Sequence, residues 1–409
     1  MNAEIRKLRE DELEAVLRAN AAWFGERFSA TAADAERPTI QPDRYFVALE
    51  GDQIVAGAGA ATFQLTVPGG NTLPCAGLTA VGTLPTHRRR GLGTALMKRQ
   101  LEHARENGDP VSYLWASEAV IYQRFGFGLG SWAGAFRIRR EATGFLREVR
   151  TSGRLRLVER DEALKLIPDV YERVRRERPG AIDRSPAWLE YRFHHQDEHH
   201  RDKDSSPPFY AIHETGNGAD GYVVYSIKDL WDHGGPRQEL EIDELVAATD
   251  DAHAALWRYC FDVDLVRTVT GWKRPVDEPL LHMLVEPRAL NFRLRDGTWV
   301  RLVDVAGALE GRSYSHEGRV VLELDDEFAP WNDGTYELDG GPDGATCRPS
   351  SAEPDLSLRV EDLAATYLGA ISFRALAAAG RVTERTPGAL KTADAMFSSA
   401  VAPWCPWIF

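Results

Sequence analysis

The chain has 409 residues, more than one ordinary hydrophobic core accommodates, so it is expected to divide into two or three domains. With 43% apolar and 27% charged residues, and no run approaching the roughly 20 apolar residues of a membrane helix, it reads as a soluble globular protein that does not span a membrane. A formal charge of -13 argues against nucleic acid as a partner, since phosphate binding needs a basic face, and favours cationic partners such as amines.

The opening MNAEIRKLREDELEAVL mixes charges into an amphipathic pattern, with no continuous apolar segment and cleavage site, so it is no signal peptide and a cytoplasmic location is expected. Next come two strand patterns, Tyr45 to Leu49 and Gln53 to Gly57, joined across Glu50-Gly51-Asp52, a hairpin signal. A strand from Ala76 to Thr83 runs into an arginine and glycine loop, Arg88-Arg89-Arg90-Gly91-Leu92-Gly93. Thr94 to Asn107 then has helical spacing, stopped by Gly108-Asp109-Pro110, and Val111 to Ala116 reads as a buried strand.

From about residue 150 the same order recurs. Helical Glu162 to Arg176 and Pro186 to Phe193 precede strand-like Phe209 to His213, Gly221 to Ile227 and Glu239 to Ala248, then helical Asp251 to Phe261 and apolar Leu265 to Thr270. The recurrence points to an internal duplication in which the second copy carries Ala247-Ala248-Thr249-Asp250-Asp251 where the first has its glycine loop. Only the first copy is then expected to keep a cofactor site. Beyond about 290, strand patterns (Arg319 to Leu324, Gly334 to Leu338, Leu356 to Val360) give way to helical ones (Glu361 to Leu368, Phe373 to Ala379, Pro387 to Phe397), an α+β unit ending in the apolar Trp404-Cys405-Pro406-Trp407-Ile408-Phe409. The cysteines at 75, 260, 347 and 405 are too scattered for a zinc site or a disulfide framework and are expected to be free thiols.

A strand followed by Arg88-x-x-Gly91-x-Gly93 and a helix places backbone N–H groups at a helix N-terminus, where glycines admit a diphosphate and the dipole offsets its charge. The arginines can add charge-assisted bonds to phosphate, and the alternative reading of the same residues is a basic turn with glycines. No Gly-Lys-Ser/Thr follows, which excludes a Walker loop, and the glycine spacing disfavours a dinucleotide fold. The arrangement resembles the acyl-CoA motif of the Gcn5-related N-acetyltransferases. Pro85-Thr86-His87-Arg88-Arg89-Arg90-Gly91, Leu114-Trp115-Ala116-Ser117-Glu118 and Ile121-Tyr122-Gln123-Arg124-Phe125-Gly126-Phe127-Gly128 closely resemble the enhanced-intracellular-survival family of aminoglycoside and lysine N-acetyltransferases.

That resemblance covers essentially the whole chain. It implies a mixed α/β and α+β protein of two tandem acetyltransferase domains, the second degenerate, at residues 1–145 and 146–290, followed by a domain similar to sterol carrier proteins at 291–409. It implies acetyl-CoA as co-substrate and no metal, with Val81, Gly82 and Thr83 on the acetyl-pantetheine arm through strand-edge amides. Arg89, Arg90, Gly91, Leu92, Gly93 and Thr94 would hold the diphosphate, with Ser117 and Glu118 beside the cofactor. A homohexamer built from trimers is also implied. Ser117 and Glu118 fit a helix N-terminus equally well.

Acetyl transfer to an amine needs a neutral amine, a stabilised oxyanion and a proton for the departing thiolate. Tyr122, a phenol of pKa about 10, suits the last task, and an aromatic packing a helix on the sheet suits the same residue. No His or Glu stands at a motif position for the base. The family supplies the chain's own C-terminal carboxylate at Phe409, against which stand Glu118, a water chain, and a tail packed only for stability. Trp23 and Phe24 line an acceptor pocket or the core. His194, His195, His199 and His200 contain i, i+4 pairs, but beside Asp197, Glu198, Arg201 and Asp202 they read as a solvated helix end. Three functions therefore stand: an acetyltransferase for small cationic amines, a catalytically silent CoA-binding regulator, and a lipid-binding protein acting through its last domain. CoA release in the presence of an amine separates the first two, and lipid extraction by residues 291–409 tests the third.

Overall fold

The computed structural model describes residues 3–149, 152–196 and 205–409. His199 and His200, and the side chains of His194 and His195, lie outside the described residues. Among those described, no helix is long and apolar enough to cross a membrane, and all four cysteines are buried thiols outside any disulfide.

The chain forms two compact units, one of residues 1–131, 297–403 and 408–409, the other of residues 132–296 and 404–407. In the first unit, β1 (Glu4–Lys7), β2 (Tyr45–Glu50), β3 (Gln53–Thr66) and β4 (Thr72–Thr83) form an antiparallel run, and β5 (Val111–Trp115) joins parallel to β4. The expected hairpin between β2 and β3 turns at Gly51, whose φ of +62° only glycine adopts freely. Between β4 and β5 runs α1 (Leu92–Glu106), the crossover helix that a parallel pair requires; it buries Leu96, Met97 and Leu101 on the sheet. The strand Thr298–Leu302 then pairs between β5 and β6 (Gly128–Leu129) to complete seven strands.

The same unit holds a five-stranded sheet ordered Gly344–Pro349, Gly334–Gly341, Gly318–Asp325, Leu356–Arg359, Val382–Glu384, with helices Val360–Thr366, Phe373–Ala378 and Ala389–Phe397. Arg301, fully buried on the inserted strand, reaches Asp326 with both carboxylate oxygens at 2.8 and 2.6 Å, which fixes that strand against the second sheet.

The second unit repeats the first sheet's plan. Its order is Arg293–Asp296, Trp132–Arg139, Val266–Arg274, Gln238–Ala247, Gly218–Lys228, Phe209–Thr215, Arg154–Val158, with Gln238–Ala247 and Val266–Arg274 as the parallel pair and the helix Asp250–Asp262 between them in sequence. Set beside the boundaries read from the sequence at 145/146 and 290/291, the sheets divide at 131/132 and 296/297. The strand Trp132–Arg139 hydrogen-bonds to Val266–Arg274, and Thr298–Leu302 to β5, because each finds its unpaired edge there and not beside its neighbours in sequence.

Candidate active site

The site begins with a misfit in the first sheet. Gly57 opposes Gly82 and Gly59 opposes Thr79, so β4 takes three steps where β3 takes two. The extra residue is a bulge at Ala80, whose φ is +52°. Pairing of β4 with β5 stops at Gly77 opposite Tyr113, while β4 runs on to Thr83 and β5 to Trp115. The two strands splay, and Val81, Gly82 and Thr83 line the resulting notch with backbone edge groups that β5 does not take up. On its other side Thr83 leads into Leu84, whose N–H bonds Val55 O at 2.9 Å.

At the notch mouth the loop expected to hold a diphosphate enters α1. Gly91 is its N-cap at φ +82°, with no side-chain cap, and a Cβ added at Gly91 or Gly93 would meet nothing within 4 Å. No heavy atom crowds these two glycines, and the first amides of α1 have no side-chain cap, which is compatible with an anion approaching the backbone there. Leu92 turns inward against the core of Phe46, Ala48 and Leu96, leaving only its backbone for a ligand. The arginines divide. Arg89, at φ +63°, is exposed with no ion pair among the described residues, whereas Arg90 pairs with Glu50 at 3.0 Å and Arg88 bonds Trp23 O at 3.3 Å. Thr94 is exposed one turn into the helix.

Beyond β5, Ser117 and Glu118 are exposed at the start of the short helix α2 (Ala119–Tyr122), where Glu118 is the N-cap residue without a side-chain cap bond. Tyr122 is 6% exposed and shares a cluster with Leu78, Leu114 and Met97, against which Val81 and Ala116 also pack, so it sits beside both walls of the notch on the α1 face. Burial, and secondarily the charge of Glu118, pushes its phenol above the ordinary value, which keeps it protonated. The glycines after it are packing requirements. A Cβ at Gly126 would lie 2.7 Å from the Arg301 guanidinium, and one at Gly128 would lie 2.1 Å from Glu361 O of the helix Val360–Thr366. Phe125 and Phe127 are core residues.

Phe409 lies on the opposite face. Its ring meets Phe63 edge-on at 4.9 Å and stacks on Tyr113 at 6.0 Å. Alternation along β4 puts Leu78 on the α1 face and Gly77 on the face of Phe63 and Phe409. Tyr122 and Phe409 thus flank the sheet from its two sides, next to the gap where β4 and β5 part. The same face carries Trp23, 4% exposed, whose indole fills the space over Gly82, and Tyr45, which covers Gly57 and Gly59. Phe24 is half exposed. This run of glycines beneath aromatic rings went unread in the sequence, because Gly57, Gly59, Gly77 and Gly82 are brought together only by pairing of β3 with β4.

The second unit has the corresponding splay, since pairing of its parallel strands ends at Ile242 opposite Gly271. There the gap is taken by the protein itself. Arg274 bonds Leu245 O at 2.6 Å and Glu278 at 2.7 Å, and Trp404 donates its indole N–H to Lys273 O. Its helix Asp250–Asp262 is capped by Thr249, and Asp250 and Asp251 place negative charge in the first turn, where a diphosphate would be repelled.

Splayed strands, an uncapped glycine helix start and a buried phenol are thus gathered at one place in the first sheet. Models of the acetyltransferase (GNAT) domain match residues 4–130 and 180–302, and a sterol carrier protein domain model matches residues 305–406. An N-acetyltransferase of Streptomyces avermitilis is 40% identical over 415 residues, covering 99% of each chain. N-acetyltransferase Eis of Mycobacterium tuberculosis is 32% identical over 408 residues, covering 96% of each. The crystal structure of Eis1 from Mycobacterium abscessus superposes with a TM-score of 0.86 at 34% identity, covering 99% of this chain and 100% of that one. The chain belongs to the Eis family of Gcn5-related N-acetyltransferases: two GNAT domains followed by a sterol-carrier-like domain, and an enzyme of acetyl transfer.

Proposed function

We propose that this enzyme transfers acetyl from acetyl-CoA to the amine of a small cationic acceptor of the aminoglycoside or lysine type. The observation that carries this reading is the notch between β4 and β5, with a phenol on one face of the sheet and the ring of Phe409 on the other. Val81, Gly82 and Thr83 take the acetyl-pantetheine arm along the unpaired edge. Arg89 to Thr94 take the diphosphate, chiefly through backbone amides and the free Arg89, with Ser117 and Glu118 at the rim.

In the reaction the amine nitrogen bonds the acetyl carbon and the carbon–sulfur bond breaks. The C-terminal carboxylate at Phe409, on the acceptor face, receives the ammonium proton directly or through water. Tyr122 gives its proton to the departing sulfur and recovers one from the second proton that the acylated nitrogen sheds, through water, on becoming a neutral amide; its raised pKa keeps the phenol protonated until negative charge develops. The net charge of -13 draws in a cationic acceptor. The domain spans 1–145, 146–290 and 291–409, a cytoplasmic location and a homohexamer built from trimers complete the proposal.

Thiol release from acetyl-CoA, measured across aminoglycosides, polyamines, lysine peptides and aryl amines, tests it. Faster release with the cationic amines is expected. Binding of acetyl-CoA with no release for any amine would make the chain a silent CoA-binding regulator. A monomer in light scattering would remove the hexamer.

A further inference from the structure

The loop at the start of α1 is held by a residue outside it. Glu50, the last residue of β2, accepts from Arg90 Nη2 at 3.0 Å with one oxygen, and meets Arg90 Nη1 at 3.3 Å and His87 Nε2 at 2.7 Å with the other. His87 is braced in turn by Thr86 Oγ1, 2.8 Å from its Nδ1. The two residues that Glu50 grips stand on either side of Arg89, whose φ of +63° is a left-handed conformation that the Cβ of a non-glycine residue disfavours. Such a conformation persists only where its surroundings impose it.

We propose that Glu50 is a positioning residue for acetyl-CoA: by holding His87 and Arg90 from the end of β2 it imposes the left-handed turn at Arg89, and so orients the α1 amides for the diphosphate before the ligand arrives. The inference rests on the acetyl-CoA reading above. Its chemistry is consistent in two respects. Arg90 and His87 hold the Glu50 carboxyl down to about 2, so Glu50 is ionised at neutral pH. The pairing also occupies the Arg90 guanidinium, leaving Arg89 and the backbone as the groups that face phosphate. The Glu50–Arg90 pair is largely solvent-accessible and the Glu50–His87 contact half-buried at the surface, so together they add little to global stability and their effect is centred on the loop.

The test is Glu50→Gln in the full chain, followed by calorimetry with acetyl-CoA and steady-state kinetics. Loss of preorganisation is expected to raise Kd and KM for acetyl-CoA roughly five- to tenfold, with kcat, acceptor KM and Tm close to wild type. Unchanged affinity would overturn the proposal. Tighter binding would overturn it too, by showing that Glu50 competes with phosphate for Arg90. A second arm uses Arg89→Gly, because glycine adopts the left-handed turn unaided. In that background Glu50→Gln should cost less than about twofold, whereas an equal cost in both backgrounds would show that Glu50 does not act through Arg89. Failure of wild type to bind acetyl-CoA at all would remove the cofactor reading itself, an outcome distinct from any difference between variants.

Discussion

Gly77 of β4 lies beneath the ring of Phe409: a Cβ at this position would stand 3.0 Å from Phe409 Cε2 and 2.4 Å from the Phe63 ring. The terminal residue is thus seated by the absence of a side chain on the strand that borders the notch. Gly77→Ala is expected to destabilise the fold by about 1–3 kcal/mol through overpacking, and to lower turnover by displacing Phe409, with acetyl-CoA affinity retained. Urea unfolding and kinetics on the same variant check both halves; native stability with native turnover would show that the ring does not need this seat.

Charge and ring at the terminus are separable. Appending one or two residues after Phe409 moves the carboxylate by about 3.3 Å per residue, beyond hydrogen-bond reach, while the aromatic ring can still pack. Turnover should fall strongly with Tm and acetyl-CoA affinity near wild type. An extended chain with full turnover would return the base to Glu118 or a water chain.

Tyr122→Phe keeps the ring in its cluster and deletes the proposed proton donor, so kcat should fall on the order of 10²-fold with Kd for acetyl-CoA unchanged. The direction of its pKa adds a second check. A phenol raised by burial stays protonated beyond its ordinary value of about 10, so loss of the acid should not appear in the pH–rate profile below about pH 10. A limb near pH 8 that vanishes in the Phe variant would contradict the assignment.

Glu36 closes the helix Ala30–Glu36, one turn beyond the buried Ala33, and has no ion pair among the described residues. Burial, and then the charge of Glu26, pushes its carboxyl up to about 7. The folded state therefore holds a proton that the unfolded state, with an ordinary carboxyl near 4.5, has lost, and stability falls as pH rises between those values. Glu36→Gln removes the penalty. Its Tm advantage over wild type should be larger at pH 8 than at pH 5, and an equal difference at both would mean that Glu36 ionises freely.

Much of the chain was legible without coordinates. The hairpin at Gly51, the helix after Gly91, the helix following Thr249 and the recurrence of the whole order were read from periodicity and turn residues, which are local properties. The family followed from motifs whose residues stand close together, between Pro85 and Gly128. Strand membership was not local. Nothing within Trp132–Arg139 or Thr298–Leu302 states which sheet will take it, because a strand docks on whatever complementary edges the rest of the chain presents.

The sequence by itself determined the chemistry available: a glycine loop fit for a diphosphate, a tyrosine past β5, an apolar tail ending in Phe409. Only the tertiary structure decided how these are used. A one-residue bulge at Ala80 follows the point where β4 and β5 part, a buried pair from Arg301 to Asp326 holds the inserted strand, and Glu50 engages Arg90 while leaving Arg89 free. The physical reason is that each of these depends on groups far apart in sequence meeting at hydrogen-bond distance. Residue type limits what such a meeting can do, and the fold determines whether it occurs.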